Sequence, residues 1–305
     1  MTHRTDHDDT ENPHLRAFVE YRPLLFTIAY EILGSATEAD DVLQDSYVRW
    51  SNVDLAGVDD PRAYLAKVTT RQALNAARAG QRRREDYVGP WLPEPIVIDE
   101  RDPSDDLVLA ESVSTAMMVV LQSLGPDERT VFLLREVFGF AHGEIADMTE
   151  KSVAAVRQIS HRARAHVQSR RPRHHTDVTE TEQATQAFLS AAATGDVNAL
   201  LAVLAPEVVY IADSDGKASA ARRPIHGADA VARVVLGLVR LGDKRRLRVG
   251  EIVVNGLPGF TVAMTDDPGA IFWLDVHDGA IHHVYAMRNP AKMSALDGAR
   301  SIARG

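Results

Sequence analysis

Apolar residues recur every three or four positions through the first half of the chain, the spacing that lays one side of a helix against a core. In LRAFVEYRPLLFTIAYEIL the stripe is Leu15, Phe18, Val19, Leu25, Ile28, Ala29 and Ile32, broken only near Pro23. Gly34 ends it, because glycine takes the left-handed cap conformation without a Cβ penalty. Ser35 and Glu38 then form an S-x-x-E capping box, opening a helix whose apolar positions are Ala39, Val42, Leu43, Tyr47 and Trp50. Asp60-Pro61, an N-cap followed by proline at the first helical position, starts a third helix through RAYLAKVTTRQALNAARAGQRRR. Three helices on short connections can close one small bundle.

From Glu85 the pattern stops, and prolines at positions 90, 93, 95 and 103 predict an extended linker that contains YVGPWLPEP. Helical patterning resumes in DDLVLAESVSTAMMVVLQSL, is cut at Gly125-Pro126, and continues through DERTVFLLREVFGF, HGEIADM and KSVAAVRQISHRARAHVQSRR. The last two meet across the short turn at Thr149-Glu150, which predicts a helix-turn-helix with Val153, Val156 and Ile159 holding its second helix on the domain. After RRPRHHTDVTET, whose Thr179 and Glu182 make another capping box, come the helical stretches EQATQAFLSAAATG and DVNALLAVLA. Then EVVYIA, LRVGEIVVNG, FTVAMT, AIFWLDV and AIHHVYAM are strand-like, with an Asp278-Gly279 hairpin turn between the last two. Strands grouped with helices, rather than alternating with them, predict an α+β domain. The expected fold class is therefore multidomain: two all-α helical domains followed by one α+β domain.

Composition sharpens this. At 305 residues the chain exceeds the usual single core, and 45% hydrophobic with 25% charged residues is ordinary for a soluble globular protein. The acidic N-terminus and the lack of a long apolar run predict a cytoplasmic protein without a membrane span. No cysteine is present, which removes disulfides and thiol chemistry. The net charge of −9 argues against a protein that coats DNA alone, so local clustering of charge matters more than the sum.

Two clusters stand out. Lys67, Arg71, Asn75 and Arg78 fall on one face of the third helix, and Arg82 to Arg84 extend it; this is either a solvated face or a nucleic-acid stripe. On the preceding helix Asp40, Asp41, Gln44 and Asp45 form an acidic side. First-turn carboxylates favour the helix dipole, which accounts for Asp40 and Asp41 but not for Gln44 and Asp45. In the helix-turn-helix, Arg157, Gln158, His161 and Arg162 occupy the half of the helix that enters a major groove, where Arg and Gln can pair bidentately with guanine and adenine. Lys151 and Arg164 are better placed for phosphates.

These residues carry a resemblance. YRPLLFTIAYEILGSATEADDVLQDSYVRW with PRAYLAKVTTRQALNAAR resembles region 2 of the extracytoplasmic-function (ECF) sigma factors of bacterial RNA polymerase, and LGPDERTVFLLREVFGFAHGEIADMTEKSVAAVRQISHRARA resembles their region 4. The resemblance implies that Asp40, Asp41, Gln44 and Asp45 dock the β′ subunit. It implies that the loop Asn52 to Asp60 and the stripe Lys67, Arg71, Asn75 and Arg78 engage the minus ten element. Lys151, Arg157, Gln158, His161, Arg162 and Arg164 would serve the minus thirty-five element. The last third is similar to the SnoaL-like domains, a cone-shaped α+β fold, and three short signatures match the ECF group that carries such an extension. They are Trp91-Leu92-Pro93-Glu94-Pro95, the loop Asp213-Ser214-Asp215-Gly216-Lys217, and Asn289-Pro290-Ala291-Lys292-Met293. The loop departs from its pattern at two glycines, and Ser and Asp tolerate positive φ less readily.

The implied organisation is a disordered tail (1–14), region 2 (15–85), a linker (86–105), region 4 (106–171), a second linker (172–180), a regulatory SnoaL-like domain (181–293) and a tail (294–305). The implied partners are core RNA polymerase, through its β′ and β subunits, and promoter DNA, with a small-molecule ligand in the cone left open. No membrane, cofactor, metal or dedicated anti-sigma factor is expected. Two other readings stand beside this one: a one-component, ligand-responsive DNA-binding regulator, and a SnoaL-type enzyme fused to a DNA-binding module. For the latter, Asp213, Asp275, His226, His277, His282 and His283 are candidates by type. Asp275 and His277 should point the same way, whereas His282 and His283 alternate, one packed and one solvated. Trp91, held extended by its prolines, is the expected anchor by which the Asp213 to Lys217 loop grips the linker.

Overall fold

The computed structural model describes residues 12–98, 109, 112–170, 178–243, 246–265, 267 and 269–304. Parts of the expected tail (1–14) and of both linkers, and the side chains of Arg82 and Arg83, lie outside the described residues. Helices α1 (Pro13–Leu33), α2 (Ala36–Trp50) and α3 (Pro61–Glu85) form the first bundle. Their caps are those the sequence predicts: Ser35 Oγ accepts from the Glu38 amide, Asp60 from the Ala63 amide, and Gly34 sits at φ 68°. Pro23 does not break α1. It lies inside the helix, where it removes the bond its amide would have given the carbonyl of Val19; one turn later the Thr27 hydroxyl donates to the Pro23 carbonyl at 2.8 Å.

Helices α4 (Thr115–Gln122), α5 (Pro126–Glu136), α6 (His142–Thr149) and α7 (Val153–Gln168) make the second module. Glu150, at φ 57°, turns the chain between α6 and α7. Val156 is fully buried and Ile159 half-buried, but Val153 is 39% exposed, because it begins α7 on the side away from the domain. The two helical modules share one continuous apolar cluster, from Phe18 and Leu25 of α1 through Leu133 of α5 to Val167 of α7.

The last part is a curved six-stranded sheet with helices packed on one side. Its strands run in the order β3 (Ile225–His226), β2 (Leu204–Asp213), β7 (Ala280–Met287), β6 (Ala270–His277), β5 (Leu257–Ala263) and β4 (Arg248–Val254). Only β2 and β7 are parallel; the other pairs are antiparallel. Helices α8 (Val178–Thr194), α9 (Val197–Val203) and α10 (Ala228–Asp243) cover the inner face, where Phe188, Val231, Phe260, Phe272 and Val284 form the core. The sequence reading did not anticipate α10.

The outer face of the sheet is also buried. Ile271, Trp273, Tyr285 and Met287 alternate with the inner residues and enclose Leu92 of the linker. Residues 294–305 are not a free tail either. After α11 (Pro290–Met293) and a short 3-10 turn, β8 (Ala299–Arg300) pairs in parallel with linker strand β1 (Val97–Ile98), and Ile302 is buried in the helical core. The Ala303 amide donates to Thr27 of α1 at 3.0 Å.

Candidate functional site

The linker segment Trp91 to Pro95 is the hub of the molecule. Its C-terminal half ties to the first bundle: Glu94 is buried, its carboxylate accepts from Ser35 Oγ at 2.8 Å and from the Thr37 amide at 3.0 Å, and Tyr30 donates to its carbonyl at 2.7 Å. The Glu94 amide in turn donates to the Gly34 carbonyl at 2.9 Å. A buried carboxylate with this many donors is satisfied rather than reactive.

Its N-terminal half ties to the sheet domain. Asp213, at the end of β2 and fully buried, accepts from Tyr87 at 2.5 Å, from the Leu92 amide at 2.8 Å and from Lys292 Nζ at 2.7 Å. Lys292 also donates to the Leu92 carbonyl at 2.6 Å, and Asn289 Nδ2 donates to Tyr87 at 2.8 Å. Asn289 Oδ1 caps α11 by accepting from the Ala291 amide at 3.1 Å. Burial pushes the Lys292 amine down to about 8 against the pull of Asp213. Burial, with Asp213 beside it, pushes the Tyr87 hydroxyl up, so that Tyr87 remains a donor. The Trp91 ring lies between two cations, Lys292 Nζ at 4.0 Å and the Arg84 guanidinium at 4.3 Å, each well placed for a cation–π contact.

The three signatures thus converge, but unequally. Asp213, Asn289 and Lys292 touch the linker directly, whereas Lys217 is half exposed and pairs with Asp215 of its own loop at 2.9 Å; Pro290 is exposed. Asp215 and Gly216 occupy φ 51° and 68°, so the two missing glycines cost less than expected: one departure falls on Asp, which visits this region more readily than most residues, and Ser214 does not need it.

Sequence reasoning missed Asn255. In the β4–β5 turn at φ 52°, it accepts from the Ile96 amide at 3.1 Å and donates to Tyr30 at 3.0 Å and to the Val113 carbonyl at 2.6 Å. One side chain therefore joins sheet domain, linker and both helical modules; its only trace in the sequence is an Asn-Gly turn between strand-like runs. Trp273 Nε1, donating to Thr115 at 2.8 Å, was missed for the same reason.

The basic stripe of α3 runs along the seam with the second module and pairs across it while remaining partly exposed. Lys67 pairs with Asp147 at 3.7 Å, Arg71 with Glu150 at 3.4 Å and with the Asp147 carbonyl at 2.8 Å, and Arg78 with Asp127 at 2.6 Å. Asn75 is exposed. Lys151 shares Asp127 at 2.9 Å; although burial pulls the Asp127 carboxyl up, Arg78 and Lys151 together hold it below its usual value. On α7, Arg157, Gln158, His161 and Arg162 are exposed, and Arg164 pairs with Glu136 at 2.5 Å. On α2, Asp41, Gln44 and Asp45 are exposed, while Asp40 is held by Arg22 at 3.2 Å and by Arg300 of the C-terminal segment at 2.9 Å.

The enzyme candidates lie elsewhere. The inner face of the sheet surrounds a cavity of about 320 Å³ lined by residues such as Phe188, Tyr210, Val235, Phe260, Phe272 and Arg288, and none of Asp213, Asp275, His226, His277, His282 or His283 lines it. Asp275 is buried and accepts from or pairs with His283 at 2.9 Å, and the His277 and His282 rings stack at 3.4 Å. A register shift between Asp275 and Val276 brings His282 beside His277, so the expected split into one packed and one solvated histidine does not hold. Among the described residues no group of three or more His, Asp or Glu side chains is placed to hold a metal ion, and no helix is long and apolar enough to cross a membrane.

The helical modules are those of sigma-70-type initiation factors: Sigma-70 region 2 matches residues 17–83 and Sigma-70 region 4 matches residues 114–167. The chain belongs to the ECF RNA polymerase sigma factors. It is 36% identical to the ECF RNA polymerase sigma factor SigJ of Mycobacterium tuberculosis, over 91% of this chain and 92% of that one. It is 26% identical to SigG of the same organism, over 87% of this chain and 78% of that one. The crystal structure of the M. tuberculosis SigJ superposes with a TM-score of 0.75 at 31% identity, covering 93% of this chain and 99% of that one, so the α+β extension is part of the shared architecture. The protein is an alternative sigma factor, a transcription initiation factor and not an enzyme.

Proposed function

We propose that this sigma factor is held inactive by its own C-terminal domain, in the closed form described above, and that release of the linker opens it for core polymerase and promoter. The observation that carries this reading is the fate of the α3 stripe: Lys67, Arg71 and Arg78, assigned to the minus ten element, are spent on Asp147, Glu150 and Asp127 of the other helical module. A promoter cannot use the stripe until the modules separate. The linker that sets their separation is clamped by Asp213 and Lys292, and Arg300 of the C-terminal segment covers Asp40 on the face assigned to β′. Asp41, Gln44 and Asp45 complete that docking face. Arg157, Gln158, His161 and Arg162 read the minus thirty-five element with Lys151 and Arg164 on phosphates, and β meets the same module.

On this reading the regulator travels with the sigma factor, and no separate anti-sigma protein is required. The inner cavity suits an apolar small molecule, since its walls are almost wholly hydrocarbon and it lacks an acid–base pair.

Run-off transcription with core polymerase, at modest salt, tests the proposal on three chains: full length, ending after Lys292, and ending at Arg171. Removing only the residues beyond Lys292 takes Arg300 off Asp40, leaving it to Arg22, and unzips β8 from β1, so specific transcript should increase over full length; the chain ending at Arg171 should differ from both. Equal output from all three would remove the built-in regulator.

A further inference from the structure

Between α3 and the α4–α5 corner lies a second cavity, of about 250 Å³, walled by Gln81 and Arg84 of α3 and by Gln122, Pro126 and Arg129 of the other module. Nothing in the sigma-factor reading uses it. Arg129 is 3% exposed, so its guanidinium has almost no solvent to share its charge with. Its donors go to neutral oxygens: the Leu121 carbonyl at 3.0 Å, the Ile32 carbonyl at 2.9 Å and the Gln122 side chain. Among the described residues no carboxylate pairs with it.

Arg84 enters from the opposite wall. It donates to the same Gln122 Oε1 at 2.5 Å, and to the Leu33 carbonyl. Two guanidiniums from two modules therefore converge on one uncharged oxygen. The carbonyls at the C-terminal ends of α1 and α4 offer partial negative charge, yet burial and then the positive charge of Arg84 still push the Arg129 guanidinium down to about 9. Structural guanidiniums this buried are ordinarily matched by a carboxylate. Here a fork of N–H donors faces an open space instead, in the geometry that receives a tetrahedral or planar oxyanion.

We propose that this cleft is an oxyanion site, taking a phosphate or pyrophosphate group between Arg84 and Arg129. Such an anion bridges α3 to α5 across the seam between the two helical modules, so it binds the closed form better than the open one and shifts the population toward it. Because Arg84 also stacks on Trp91, whose other face meets Lys292, the bound anion is one side chain away from the linker clamp. The site stands on its own geometry whether or not closure proves inhibitory.

Gln122→Glu provides the test, since it places a carboxylate at the oxygen on which both guanidiniums converge. Thermal unfolding of the full chain is followed with inorganic phosphate or pyrophosphate against sodium chloride at equal ionic strength. Expected results are a saturable rise in melting temperature for the wild type, a higher starting temperature for Gln122→Glu and no further rise on adding either anion. Arg84→Gln should lower the response without needing Arg129 to be altered. A variant in which Arg157 and Arg162 are both changed to Gln should respond like wild type, which separates this cleft from the exposed DNA-reading helix. An equal rise in wild type and Gln122→Glu, or none in either, would overturn the site. A response lost in the α7 double variant would assign the anion to the DNA face and overturn it as well. A short DNA duplex forms a further arm: a response to duplex but to neither free anion would place a backbone phosphate on the protein surface and likewise refute the cleft.

Discussion

Helices α3 and α7 carry basic faces of similar kind, and the structure treats them oppositely. On α7 the groove-reading side chains Arg157, Gln158, His161 and Arg162 stand in solvent, whereas on α3 three of the four stripe residues are paired across the seam with Asp127, Asp147 and Glu150. The lesson lies in the strength of those pairs. Asp147 and Glu150 are 77% and 74% exposed, and ion pairs of that sort contribute about 0–1 kcal/mol each. They cover the stripe without being able to hold it. The holding is done elsewhere, by the apolar cluster the two modules share and, farther away, by the buried Asp213–Lys292 pair and the apolar contacts of Leu92 with Trp273 and Tyr285. A weak cover over a seam that a distant buried clamp also bridges is loosened by acting on the clamp.

The largest effect should come from breaking one side of that clamp. Lys292→Met leaves the Asp213 carboxylate buried with fewer partners, and loss of one member of a buried pair costs about 3–5 kcal/mol. Adding Asp213→Asn keeps one acceptor oxygen, for either Tyr87 or the Leu92 amide, and removes the orphaned charge, so the double variant should recover part of the loss. Urea unfolding followed by tryptophan fluorescence measures both; a double variant no better than the single one would mean that the pair is not coupled in this way.

A smaller effect is tied to pH. Glu31 of α1 is buried, hydrogen-bonded by Ser112 at 2.5 Å, and its other oxygen has no partner among the described residues; burial pushes its carboxyl up to about 8, with Ser112 only partly opposing. An acid whose pKa is raised by burial binds its proton more tightly in the folded chain than in the unfolded one. Its contribution to folding stability is therefore complete below about pH 4.5, declines as pH rises, and is gone above about 8. Glu31→Gln should flatten stability across that window, and an unchanged slope would show that Glu31 is not the group responsible.

The smallest effect belongs to the cover itself. Asp147→Asn with Glu150→Gln should raise affinity for a single-stranded minus ten oligonucleotide by no more than about thirtyfold, because the two pairs removed are worth about 0–1 kcal/mol each. A larger gain would make the exposed pairs, and not the clamp, the holding element.

The helical modules were legible because each announces itself locally: caps at Ser35 and Asp60, the glycine at 34, periodic apolar residues between them. Gly34 proved to have a second constraint the sequence does not show, since a Cβ there would come within 2.8 Å of the Trp91 ring and 2.5 Å of Gln122. Helix α10 has a clear stripe in Val231, Val235 and Leu236, but its many valines favour strands, and it sits among segments that are strands. Asp213, Trp91 and Lys292 could be named from their motifs; that they meet depends on contacts spanning 79 and 121 residues of chain, which no local pattern encodes. The same is true of Arg300 on Asp40 and of the pairing of β8 with β1, which turned an expected tail into part of the closed form.

The absence of cysteine makes the central claim directly measurable. Ala79→Cys on α3 and Ala154→Cys on α7 place two exposed spin labels, one on each helical module, in an otherwise label-free chain. Pulsed electron resonance should give one narrow distance for this pair in the otherwise wild-type chain. Adding Lys292→Met should produce a broad, longer population, although Lys292 touches neither helix. An unchanged narrow distance with the clamp broken, in a chain still folded, would contradict the account.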